Sequence, residues 1–409
     1  MHVKTDMLRK IIRISAAFLA VLVLVGLGLA ARAKWVLNRS YTDVPEPPIV
    51  ANVSPEGVAR GEMLFQSLCM ECHGGTDGRA TGKRLAEIPT FLGKFWSANL
   101  AHPDHGVHRK SDGQIARVLR NGVLPDGRLS VVMNGFGAIG DADVAALIGY
   151  MRSGAPAFQP GGDVQPRTQA SLLGALIVTY VSRVSVEAKA SGVIVPAKAP
   201  DVAYGKYMAQ VMDCVGCHTD GFGSDKMNEE GRFAGGFELT DPTGAKIYTK
   251  NISFDEATGI GKWSLEDFER AVTRGARPDG YLVRKPMPLF SRLDHTDVSA
   301  IYAFLRTVPA VHRPNRAGGH ALEKAHPSDP PQVLFDKLGC SACHGDNAPY
   351  RNQIAGAVGK PDADVAAWIL DPQATKPGSP MPSFRDAIDG AQAETLARYV
   401  KELAARRGG

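Results

Sequence analysis

Hydrophobic positions follow two patterns along this chain. From Ile14 to Ala31 they form a run without a charge. As a helix that run reaches about 27 Å, close to the hydrocarbon thickness of a bilayer. Elsewhere they recur at helical spacing. Val144, Leu147, Ile148 and Met151 share one face, Val298, Ile301, Tyr302 and Leu305 a second, and Leu396, Tyr399, Val400 and Leu403 a third. Start signals mark other helices: Ser54-Pro55 reads as an N-cap with proline at the first helical position. Ser111 with Gln114, and Ser264-Leu265-Glu266-Asp267, open two more in capping-box style. The pattern predicts an all-α chain behind an N-terminal apolar segment.

The segment over 1–35 has two readings. Ala31-Arg32-Ala33 could supply the small-x-small site of a cleaved signal peptide, whereas the length of the run favours an uncleaved transmembrane anchor. Lys4, Arg9, Lys10 and Arg13 precede the run and Arg32, Lys34 and Arg39 follow it, so flanking charge does not fix orientation. Residues 40–53, with Val44-Pro45-Glu46-Pro47-Pro48, read as a stiff extended linker.

Beyond the linker the chain repeats itself. Ser111 to Gln114, the turn Pro125-Asp126-Gly127, Met133 and the closing stripe of the first unit reappear as Ser264 to Asp267, Pro278-Asp279-Gly280, Met287 and the second stripe. Asn99 and Asn251 occupy matching places. An internal duplication of this kind marks domains. The expected division is a first unit over 52–157, a linker with a short apolar helix over 158–199, a second unit over 200–310, a linker over 311–329, and a shorter third unit over 330–409. The apolar run Leu172–Val178 in the first linker is too short to cross a bilayer, which predicts a buried or surface-docked helix.

Composition is that of an ordinary globular protein, with 44% hydrophobic and 22% charged residues. A net charge of +5 gives no indication of nucleic-acid binding. The 6 cysteines change the picture. All fall in Cys69-Met70-Glu71-Cys72-His73, Cys214-Val215-Gly216-Cys217-His218 and Cys340-Ser341-Ala342-Cys343-His344. C-x-x-C-H is the attachment signature of c-type haem: two thiols become thioethers and the histidine reaches the iron. A lone copy could be a redox dithiol or half a zinc site. Three copies leave no further thiol for disulfides or a Cys₄ zinc site, and the βαβ context that a thioredoxin-like dithiol needs does not surround them.

An iron that only passes electrons needs a sixth ligand, and a Met thioether is the usual one. Met133, Met287 and Met381 stand in the right place, the last two flanked by Pro286, Pro288, Pro380 and Pro382. Met151, Met208 and Met212 are expected to be core packing. His102, His105 and His108 form a polar-loop cluster without a counterpart in the second unit. Of His295, His312, His320 and His326 only solvation is expected. Arg120, Arg274 and Arg277 are candidate cations beside haem propionates.

The stretch Gly235-Gly236-Phe237, Tyr248-Thr249-Lys250-Asn251-Ile252, Thr258-Gly259-Ile260-Gly261, Trp263-Ser264, Arg274-Gly275 and Met287-Pro288 resembles the triheme cytochrome c subunit of membrane-bound bacterial alcohol, gluconate, sorbitol and aldehyde dehydrogenases. The match is closest over 200–310, while 332–405 is similar to a small single-haem cytochrome c. The resemblance implies three tandem class I cytochrome c-like domains and three covalently bound haem c groups. It also implies a catalytic dehydrogenase subunit as electron donor, and ubiquinone or a terminal oxidase as acceptor. The bulk of the chain then lies on the periplasmic side of a bacterial inner membrane, with the N-terminus inside. That family is often held by its C-terminus or by surface contacts, whereas the apolar run here is N-terminal. Two other readings follow the same motifs: a haem peroxidase or reductase with an open iron in the first unit, and a cytochrome c that docks on an oxidase.

Overall fold

The computed structural model describes residues 2–75, 77–86, 88–181, 192–221, 230–241, 245–279, 281–283, 285–318, 325–345, 350–376, 379, 381–385 and 387–408. Pro380, Gly280 and His320 therefore lie outside the described residues.

Helix α1 runs from His2 to Asn38. Its stretch Ile11–Asn38 is long and apolar enough to cross a membrane, and none of its apolar window is buried against the protein. The Pro-rich segment that follows is extended but is not a free spacer. Tyr41, Val44 and Ile49 are buried, the first two against Val123 and Leu129. The Ala51 amide donates to Asp112 at 2.8 Å and the Ser111 hydroxyl to Glu46 at 2.9 Å. Apolar residues flanking the prolines supply the packing that proline content alone conceals.

The first unit contains α2 (Pro55–Leu64), α3 (Met70–His73), α4 (Asp112–Asn121) and α5 (Asp141–Arg152). Ser54 caps α2 by accepting from the Gly57 amide at 3.1 Å, and Ser111 and Gln114 form the capping box of α4. Helices α2 and α5 cross at Gly61, where a Cβ would collide with the Ala146 carbonyl.

The first linker folds back over this unit. A two-stranded antiparallel ladder pairs β1 (Gly93–Lys94) with β2 (Gln169–Ala170), and α6 (Leu172–Leu176) continues as a π turn over Ile177–Val181. The second unit contains α7 (Val202–Val211), α8 (Cys214–His218), α9 (Leu265–Arg274) and α10 (His295–Leu305). It also carries a ladder of β3 (Glu238–Thr240) and β4 (Lys246–Tyr248). These short ladders are the departure from an all-α expectation. They close loops and contribute little to the core, and strands of two or three residues leave no periodic pattern to read.

The duplication extends to single contacts. Helices α7 and α10 cross at Gly205, whose Cβ would strike the Ala300 carbonyl. Gly122 and Gly275 end α4 and α9 in the left-handed conformation, with φ of 66° and 78°. Each is followed by a tight hairpin bridged at Val123 and Leu129 or at Ala276 and Leu282. Asn99 holds Gly161 O at 2.8 Å, and Asn251 holds Val311 O at 2.8 Å.

The last part contains α11 (Pro331–Lys337), α12 (Cys340–His344), α13 (Asp362–Leu370), α14 (Pro372–Thr375) and α15 (Gly390–Gly408). Leu334 and Phe335 on α11 and Leu396 on α15 are buried in its core, which Ala276 and Leu282 of the second unit enter. One continuous core serves the first two units.

Candidate functional site

Each C-x-x-C-H motif forms one short helix at the end of a longer one. In the first unit α2 passes through a π turn, Phe65–Cys69, into α3 without a break. In the other two a left-handed residue redirects the chain just before the first cysteine: Asp213 with φ of 53° and Gly339 with φ of 74°. A short polar side chain and a glycine are the types that tolerate this conformation.

The three histidines are held alike. His73 Nδ1 lies 2.9 Å from Ala98 O, His218 Nδ1 2.7 Å from Lys250 O, and His344 Nδ1 2.9 Å from Tyr350 O. A carbonyl only accepts, so each Nδ1 carries the proton and donates. Ala98 and Lys250 stand immediately before the matched Asn99 and Asn251. Burial lowers the pKa of all three rings; the carbonyl bond opposes this without reversing it. Each ring is therefore neutral near pH 7, with its Nε2 lone pair left to face a metal, as a ligating histidine requires. Burial also pushes the Cys69, Cys214 and Cys340 thiols up to about 12. Tethered neutral imidazoles beside paired, half-buried cysteines fit c-type haem.

Of the three sequence-selected methionines, Met133 opens a 3-10 turn, Met133–Ala138, after α4, while Met287 and Met381 lie on loops after α9 and α14; all three are half-buried. The Met133 amide donates to Ser130 Oγ at 3.2 Å and the Met381 amide to Ser379 Oγ at 3.2 Å. Met381 and Cys340 pack against the same third-unit core. Met133, Met287, Cys69 and Cys214 all border the core shared by the first two units. Met151, Met208 and Met212 are buried in that core as packing residues.

Other candidates have local roles. Arg120 is fully buried and donates to Asp141 and to the carbonyls of Gly137 and Ile139, so it braces the turn that follows Met133. Arg277 pairs with Asp279. His102 Nδ1 accepts from the amides of Asp104 and His105, and His108 Nε2 bonds Pro103 O, so this cluster ties its own turn. His295 and His312 are exposed, and each faces a carboxylate, Glu269 and Asp255 respectively.

Sequence reasoning missed how the motifs meet. Glu71, inside the first motif, bonds Lys285 on the Met287 loop at 2.6 Å. Burial pushes the Cys343 thiol up, and the charges that reach it are Lys285 of the second unit and Glu71 and Lys83 of the first. Pro382, beside Met381, approaches Gly275. A cavity lies between Val132, Phe136 and Ile139 of the first unit and Gln210, Val211 and Asp213 just ahead of Cys214. Unlike charges in separate units, Glu71 and Lys285, were the one available signal, and their sequence separation hid it.

Residues 56–151 match the family described as cytochrome c oxidase, cbb3-type, subunit III. This chain carries a cytochrome c domain. Such a domain holds haem c covalently. Around and beyond that domain the chain is similar to cytochrome c subunits of dehydrogenases. It is 38% identical over 237 residues to the fructose dehydrogenase cytochrome subunit of Gluconobacter japonicus, covering 49% of this chain and 45% of that one. It is 42% identical over 102 residues to the cytochrome c subunit of the quinone alcohol dehydrogenase of Gluconobacter oxydans (strain 621H), covering 24% and 20%. It is 36% identical over 118 residues to the gluconate 2-dehydrogenase cytochrome c subunit of Pantoea cypripedii, covering 28% and 25%. The matched stretches span less than half the length of each of these relatives.

Proposed function

We propose that this chain is a triheme electron-transfer subunit of a membrane-bound dehydrogenase complex. One haem c is attached at Cys69 and Cys72 with His73 and Met133 on its iron. The second is attached at Cys214 and Cys217 with His218 and Met287, and the third at Cys340 and Cys343 with His344 and Met381. Segments 52–157, 200–310 and 330–409 are the three haem-bearing domains. Haem iron supplies a one-electron couple; the protein's part is to fix position, set the ligands and exclude water. Electrons enter from a catalytic dehydrogenase subunit and leave to ubiquinone or a terminal oxidase on the periplasmic side of the inner membrane. The relatives' names support the donor class.

The observation that carries this reading is the meeting of the first motif, the Met287 loop of the second unit and the third motif around Glu71, Lys285 and Cys343. A carrier needs its redox groups close together, whereas an enzyme needs one accessible iron. Two of the three histidines that made the first unit a candidate enzyme site, His102 and His108, are engaged within their own turn, which favours the carrier.

The test is Met287→Ala in the holoprotein. Loss of a thioether ligand lowers one potential by on the order of 0.1–0.3 V, part of the roughly 0.8 V that axial ligands span. That haem alone also begins to bind carbon monoxide. Unchanged potentials in a redox titration reject the ligand assignment.

A further inference from the structure

The segment after the first unit presents an apolar surface that its own fold does not cover. Leu172 and Leu173 are each 50% exposed, Val181 52%, and Phe91, on the adjoining turn, 56%. These residues belong to one rigid piece. Ser171 caps α6 by accepting from the Gly174 amide at 2.9 Å, and its hydroxyl donates to Phe91 O at 2.7 Å. The Ser171 amide donates to Leu92 O at 2.9 Å, and Gly174 packs so closely on that carbonyl that a Cβ would collide with it. The ladder of β1 and β2 closes the other side.

This piece sits against the anchor. Helix α6 packs on α1, and the Tyr180 hydroxyl donates to Leu29 O at 3.0 Å. Leu29 lies near the end of the uncharged run Ile14–Ala31, whose side chains are themselves exposed. The apolar face of α6 therefore continues the surface of the anchor at the level where α1 leaves the hydrocarbon. Tyrosine at that level suits a membrane interface. Exposed Lys94 and Arg167 lie on or beside the ladder of the same piece, and Arg32 and Lys34 follow the run on α1. Apolar side chains, an aromatic hydroxyl and cations on one surface are the groups that suit acyl chains, interface and anionic headgroups.

We infer that Phe91, Leu172, Leu173 and Val181 insert into the bilayer beside the anchor as a second, monotopic contact. Two contacts on one rigid piece fix the tilt of the haem-bearing part over the membrane, which a single helix could not do. The inference rests on α1 being membrane-embedded, and its test separates the two.

Single cysteines replace Phe18 in the anchor, Leu173 in the proposed contact, and exposed Val358 as an aqueous control, each in the full-length holoprotein. Nitroxide-labelled proteins are reconstituted in phosphatidylcholine–phosphatidylglycerol vesicles. Collisional relaxation is then measured with oxygen, which concentrates in lipid, and with a water-soluble nickel chelate. The expected result is lipid-like oxygen accessibility at positions 18 and 173, with chelate accessibility at 358 several-fold higher than at either. A lipid-exposed label at 18 with a label at 173 as chelate-accessible as that at 358 overturns the second contact and leaves the anchor. A label at 173 shielded from both reagents shows a protein partner there and also overturns it. Aqueous behaviour at both 18 and 173 removes the anchor and the inference together.

Discussion

A histidine that serves a metal through one nitrogen must dispose of the other. In His73, His218 and His344, the proposed iron ligands, the carbonyls of Ala98, Lys250 and Tyr350 hold Nδ1. The motif itself was legible from three short strings, because thioether and imidazole chemistry fix the spacing. The carbonyl partners were not, since any residue type can supply a backbone oxygen. Asp112 shows a related limit. It had no role in the sequence reading, yet one oxygen accepts from Ala51 at 2.8 Å and the other from Arg152 at 2.8 Å. Burial raises its pKa, but these bonds outweigh it and hold the carboxyl below the usual range. A depressed folded pKa means stability that is present above the unfolded value of about 3.9 and is lost as pH falls through the folded one. Asp112→Asn should cost about 1 kcal/mol at pH 7 for this partly exposed pair. The gap to the parent protein in chemical denaturation should shrink below about pH 4, and a constant gap down to pH 2 would show that the charge is not responsible.

At the scale of elements, helix starts were legible because caps are local. Ser54, Ser111 and Ser264 each bond the amide that the rule assigns to them. The stripe of α10 was legible because one helix face is buried, and that of α5 because its apolar residues recur at helical spacing even though Ala146 to Met151 are buried on all sides. The places where helices touch were not, because Gly61 and Gly205 are common residues whose use depends on a partner's carbonyl. Gly205→Ala, with no left-handed backbone to excuse it, forces α7 away from α10. It should lower unfolding free energy by about 1–3 kcal/mol, the usual cost of overpacking. A variant with an unchanged midpoint by far-ultraviolet circular dichroism would mean that the crossing has slack. The packing of the extended Pro-rich segment 40–53 was not legible for the opposite reason, since its three buried apolar residues follow no period.

Over the whole molecule, the first two units meet through equivalent positions. Because Gly61 matches Gly205 and Ala146 matches Ala300, Arg60 corresponds to Tyr204 and Asp143 to Asp297. Arg60 bonds Asp143 at 2.8 Å and the Tyr204 hydroxyl at 3.0 Å, while Tyr204 donates to Asp297 at 2.6 Å. Tyr207 donates to Asp143 at 2.6 Å and Lys198 to Asp297 at 3.1 Å. Burial, reinforced by the neighbouring carboxylates, drives both tyrosine pKa values upward, so the hydroxyls remain donors at any physiological pH. Such pairing of a surface with its own duplicate is the arrangement of a two-fold dimer, made within one chain. A buried network of this kind gives fixed geometry more than stability. Fixed geometry is what the proposed carrier needs, and a duplicated sequence gives no hint of which copies of a repeated residue will meet.

The central claim is that all three C-x-x-C-H motifs carry haem in one electron-carrying chain. The pyridine haemochrome absorbance of the native protein, divided by polypeptide concentration from amino-acid analysis, measures this directly. The account predicts three covalently bound haems per chain, and a reproducible value of one or two would contradict it.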